Sequence, residues 1–125
     1  MSSATPSSLP ERDPTLYLKD MAEFCDRAMA YIAGHDLASL LADRMRYDAT
    51  LRNLELIGEA ATHVPVEIQR MAADIPWRQV VATRNRLAHA YLGIEPDTVW
   101  LILTQSVPAL RLHLQALLDR LKALP

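Results

Sequence analysis

The sequence predicts an all-α protein, an antiparallel four-helix up-down bundle with a kinked last helix. Three observations carry this. The 125 residues include only three glycines, apolar residues recur at helical spacing, and no run of β-branched residues alternates with the period of a strand. Half the residues are hydrophobic, enough to fill one core at this length, so one domain is expected.

The elements follow in order. Residues 1–14, "MSSATPSSLPERDP", are rich in Ser and Pro and predict a flexible tail. They lack the basic start and apolar stretch of a signal peptide. The helical domain is expected over residues 15–123. Its first helix spans about Thr15 to Ala33, with Leu16, Met21, Phe24, Cys25 and Ala28 on one broad face and Gly34 as the stop. Asp36 is placed to cap the next stretch, "LASLLADRMRYDATLRNLELIGEAAT", which can break near Asp43. Leu51, Leu54, Ile57 and Ala61 form its apolar stripe, and Pro65 forces its end near Thr62. "PVEIQRMA" predicts one or two further turns. The third main helix opens at "DIPW", with Pro76 at its first position, and carries Val80, Val81 and Leu87. Gly93 bends the chain. Pro96 starts the last helix, which runs to about Leu121 and is kinked or split by Pro108.

Composition narrows the function. A net charge of −2 offers no global footprint for nucleic acid, so any RNA contact requires a local basic patch. Cys25 is the single cysteine, which excludes an intrachain disulfide, and no Cys/His set has zinc-ligand spacing. Neither a metal nor a cofactor is expected. No apolar run approaches the ~20 residues of a membrane span, and a cytoplasmic location is expected. Met21, Met29, Met45 and Met71 are expected as core fillers, Trp77 and Trp100 as packing anchors, and His35, His63 and His113 as structural or solvent-facing residues. Glu55 and Glu59 lie one turn apart, and solvation or pairing with Arg84 fits them better than a metal.

The local patch is "IPWRQVVATRNRLAHAY", residues 75–91, with Arg78, Arg84 and Arg86 and no acidic residue. Read as structure alone, Arg84 pairs with Glu55 or Glu59, and His89 complements the negative end of a helix dipole. Read as chemistry, the patch holds what metal-free RNA cleavage needs. A ribose 2′-hydroxyl attacking its own phosphate requires a base, an acid, and a cation for the charge growing on phosphorus. Histidine, with an ordinary pKa of ~6.5, serves the first two roles, and arginine the third. Five residues turn a helix by roughly 140°, so Arg84 and His89 meet only if the helix ends between them. One motif supplies one histidine; a twofold dimer with facing motifs would supply two. For Tyr91, ring packing at the bundle edge and a modification that blocks the cleft both fit.

"LRNLELIGEAATHVP", "IPWRQVVATRNRLAHAYLGIEPDTVW" and "SVPAL" together closely resemble the HepT family of the HEPN superfamily. The resemblance covers about residues 15–121. It implies a homodimeric or higher-order, metal-independent endoribonuclease, the toxin of a toxin–antitoxin pair. Arg84 and His89 match the family's catalytic pair. Asn85, the polar residue after the arginine, and Arg86 are the expected phosphate- or RNA-binding residues, and Tyr91 matches the motif tyrosine. The implied substrate is tRNA or mRNA. The implied partner is a nucleotidyltransferase antitoxin that transfers AMP onto Tyr91, where added phosphate charge would repel RNA. The alternative is a non-catalytic nucleotide- or substrate-binding partner of a nucleotidyltransferase, in which Arg84 and Arg86 hold a phosphate and His89 does no chemistry.

Overall fold

Asp13 sets the first helix. Its carboxylate accepts from the Thr15 backbone N–H at 2.9 Å, and Pro14 occupies the first helical position. In a computed structural model that describes residues 12–89 and 93–125, this helix, α1, spans Pro14–Ile32. It is followed by α2 (Leu37–Ala42), α3 (Arg44–Ala61), α4 (Val66–Arg70), α5 (Trp77–Ala88), α6 (Pro96–Leu101), a π-helical segment (Ile102–Ser106) and α7 (Val107–Lys122). All regular structure among the described residues is helical. Residues 1–11, most of the expected tail, lie outside the described residues.

The helix ends follow the capping residues. Gly34 turns the chain after α1 at a φ of +79°, a conformation that costs glycine nothing sterically. Asp36 and Ser39 form a reciprocal capping box on α2: Ser39 N–H donates to Asp36 Oδ1 at 2.8 Å, and Asp36 N–H donates to Ser39 Oγ at 3.1 Å. Asp43 ends α2 and caps α3 by accepting from Arg46 N–H at 3.1 Å, which is why the long second stretch breaks there. Backbone N–H bonds at all three caps hold the carboxyls of Asp13, Asp36 and Asp43 below the usual carboxylate range.

α1 packs on α3 and on α7, and α3 packs on α5. Leu18, Met21, Cys25 and Ala28 of α1 meet Leu54, Ile57 and Ala61 of α3 and Leu110, Leu114 and Leu117 of α7. Each fully buried leucine contributes on the order of 2 kcal/mol. Two expected core residues are outside it. Met45 is 85% exposed, because it lies nine residues, or about 180° of helix, from Leu54. Leu16 is 37% exposed, about 200° around α1 from Leu18. Met21 is buried as expected, and Met29 and Met71 pack against the core. Pro76 sits one position earlier than expected, as the N-cap of α5, and Trp77 anchors the helix start by donating Nε1–H to Ala72 O at 3.2 Å.

Pro108 divides the last helix. It has no N–H to donate and its ring crowds the preceding turn. The chain absorbs this one turn earlier, where the Val107 N–H reaches five residues back to Ile102 O. α7 then restarts with Pro108 in its first turn.

Candidate active site

α5 crosses α3 at Gly58. A Cβ built on this glycine would overlap Arg84 Cβ and lie 2.9 Å from Val80 O and 3.0 Å from Arg84 Cγ. Only a residue without a side chain lets the arginine stem pass there. Glycine inside a helix costs about 1 kcal/mol relative to alanine, and the close crossing is what it provides in return.

Arg84 then extends toward solvent between two acceptors. Its Nη2 lies 2.5 Å from Glu59 Oε2, and its Nη1 donates to Asn85 Oδ1 at 2.8 Å. The Arg84 side chain is 34% exposed and that of Glu59 is 44% exposed. An ion pair this open contributes roughly 0–1 kcal/mol to stability. Its main effect is therefore on geometry. On the far side of Glu59, its Oε1 is 3.7 Å from Nε2 of His63, whose ring stacks on Tyr17 with centroids 5.0 Å apart and planes 20° from parallel.

α5 ends at Ala88, between Arg84 and His89. His89 takes φ −107° and ψ 87°, outside the helical range. Its Nδ1 is 2.8 Å from the backbone carbonyl of Asn85. A carbonyl can only accept, so Nδ1 carries the hydrogen and Nε2 is the basic nitrogen of the neutral ring. Asn85 thus serves both partners, its side-chain carbonyl receiving Arg84 and its main-chain carbonyl receiving His89. The arrangement places a cation and a tautomer-set imidazole on one short segment.

The other predicted residues fall elsewhere. Arg86 is exposed on a different side of α5, where its Nη2 donates to Gly93 O at 3.2 Å. It lines a groove of about 670 Å³ together with Thr83 and His113. Tyr91 lies outside the described residues. Of the two carboxylates one turn apart, Glu55 is taken by Arg52 at 3.1 Å and Glu59 by Arg84. No group of three or more His, Cys, Asp or Glu among the described residues is placed to hold a metal ion. No helix among them is long and apolar enough to cross a membrane.

The family model "Ribonuclease HepT-like" matches residues 21–117, most of the chain and all of the segment just described. The chain belongs to the HepT-like ribonuclease family. Among its HepT-like relatives, a protein of Thermococcus cleftensis named "Probable ribonuclease HepT" is 32% identical over 95 residues, covering 76% of this chain and 86% of that protein. One of Methanocaldococcus jannaschii, named "Putative RNase", is 29% identical, covering 81% of this chain and 93% of that protein. Another "Putative RNase", of Caldanaerobacter subterraneus, is 25% identical over 89% of this chain and 99% of its own. No solved structure matches the chain.

Two features of the site escaped the sequence reading. The role of Gly58 had a signal, since a glycine in the middle of a strong helical pattern marks close approach. The placement of His63 and Tyr17 beside Glu59 had none, because it joins residues from two helices and a turn.

Proposed function

We propose that this HepT-like protein is an endoribonuclease that cuts RNA without a metal and acts as the toxin of a toxin–antitoxin pair in the cytoplasm. Family membership supports the ribonuclease reading. The observation that carries the site assignment is the end of α5 between Arg84 and His89, with Asn85 bonded to both side chains. In the proposed reaction, Nε2 of one His89 takes the proton of a ribose 2′-hydroxyl. The 2′-oxygen attacks phosphorus, the bond to the 5′-oxygen breaks, and an imidazolium returns a proton to that oxygen. The products are a 2′,3′-cyclic phosphate and a 5′-hydroxyl. Arg84 stabilises the charge on the non-bridging oxygens.

Acid and base are supplied together if two copies of the four-helix bundle face each other across a twofold axis. The burial pattern of α5 supports such an assembly: this twelve-residue helix has no fully buried residue, and its main packing is on α3. A nucleotidyltransferase antitoxin would silence the toxin by adding AMP to Tyr91. Asn85 would enter phosphate binding through Arg84, and Arg86 would contact RNA farther along the strand. Either tRNA or mRNA fits as substrate.

The test is incubation of tRNA and mRNA with the purified protein in EDTA. Cleavage by the parent, with a loss of at least about 100-fold in Arg84→Ala and His89→Ala, is the expected result. Both variants should keep the parent's melting temperature, because both side chains are partly or fully exposed. RNA left intact by the parent would instead favour a nucleotide-binding partner without nuclease chemistry. Cleavage by His89→Ala at the parent's rate would remove His89 from the acid–base role.

A further inference from the structure

We propose that Glu59 is a positioning residue, which holds the Arg84 guanidinium in the plane that receives the scissile phosphate. The inference rests on the endoribonuclease reading for its catalytic consequence, but not for the geometry. A guanidinium has five N–H groups in a rigid fork. Glu59 sits against Nη2 as an ion pair and Asn85 accepts from Nη1, so the group is approached by an acceptor at each of its two ends. The remaining N–H groups, Nε–H among them, are the ones a phosphate can engage.

Glu59 is suited to this by its place in the fold. It follows Gly58, so the carboxylate starts from the point where the stem of Arg84 crosses α3. Its second oxygen faces His63, and Tyr17 of α1 stacks behind that ring. Tyr17, His63, Glu59 and Arg84 therefore lie in a line across α1, the end of α3 and α5 at the surface. A carboxylate that merely blocked the arginine until RNA arrived would need to swing away, whereas one that positions it stays in place. Without it, a long arginine side chain three-tenths exposed to water samples many rotamers, and each must be given up when phosphate binds.

The test compares the parent with Glu59→Ala and Glu59→Gln by ¹⁵N NMR of the Arg84 side chain, assigned by its loss in Arg84→Lys, and by cleavage of RNA in EDTA. Separate, slowly exchanging Nη signals are expected in the parent, and averaged signals in Glu59→Ala. The kcat of Glu59→Ala should fall by about three- to fivefold, the most that an ion pair worth about 1 kcal/mol can supply, with KM within about twofold and an unchanged melting temperature. Glu59→Gln, whose amide oxygen occupies the same place beside Nη2, should recover part of the loss. Unchanged Arg84 signals in Glu59→Ala would overturn the proposal, as would an unchanged or raised kcat. If the parent leaves RNA intact while its Arg84 signals still depend on Glu59, the nuclease reading fails and the hold of Glu59 on Arg84 stands.

Discussion

Gly58→Ala is the sharpest perturbation of this site that touches neither Arg84 nor His89. The new methyl would overlap Arg84 Cβ and come to 2.9 Å from Val80 O. Ordinary carbon contacts begin near ~3.5 Å, so α5 must retreat by roughly 1 Å at the crossing. Overpacking of this kind costs about 1–3 kcal/mol, while alanine in place of glycine returns up to about 1 kcal/mol of helix propensity. The net destabilisation is then no more than about 2–3 kcal/mol, a fall in melting temperature on the order of 10 °C or less for a chain of this length. Most molecules would remain folded at 25 °C. The displaced Arg84 is another matter, because a misplacement of about 1 Å can cost on the order of 100-fold in rate. Cleavage of RNA at 25 °C, alongside thermal unfolding followed by circular dichroism, separates the two effects. The expected result is a loss of activity far larger than the unfolded fraction explains. Activity within about threefold of the parent would refute the claim that the α3–α5 crossing sets the arginine, as would a loss matched by unfolding.

Two predictions concern the rest of the chain. Cys25 is fully buried, and desolvation, followed by the nearby charge of Asp26, pushes its thiol up to about 12. Ellman's reagent at pH 8 should therefore label it only after denaturant is added, and prompt labelling of the folded protein would contradict the packing of α1. Asp13, Asp36 and Asp43 have carboxyls lowered on folding, so the stability they contribute is complete above the unfolded value of 3.8 and is lost as pH falls below it. The melting temperature should drop steeply below about pH 4 in the parent and less steeply in Asp36→Asn, which keeps a cap acceptor that does not titrate. Parallel curves would show that this cap does not contribute to acid sensitivity.

Much of this protein is local physics and is legible residue by residue. The breaks at Gly34, Asp43 and Gly93 follow from backbone conformation and capping, which depend on neighbours within four positions. The interruption before Pro108 follows from a missing N–H. The end of α5 before His89, the condition for Arg84 and His89 to meet, is present in the structure. Periodicity also identified most of the core, failing for Leu16 and Met45, where hydrophobic character was counted without the angle around the helix.

What tertiary structure alone decided is the company each site residue keeps. The sequence offered Glu55 and Glu59 as equal partners for Arg84, and the crossing at Gly58 selects Glu59 while Arg52 takes Glu55. It grouped Arg84 with Arg86, and the helix sends them to different sides of α5. It gave no hint that Tyr17 and His63, 46 positions apart, would stand behind the same carboxylate. Helix starts and stops are written in short-range preferences. The distance at which two helices cross is set by every side chain between them, and a single missing Cβ places the arginine.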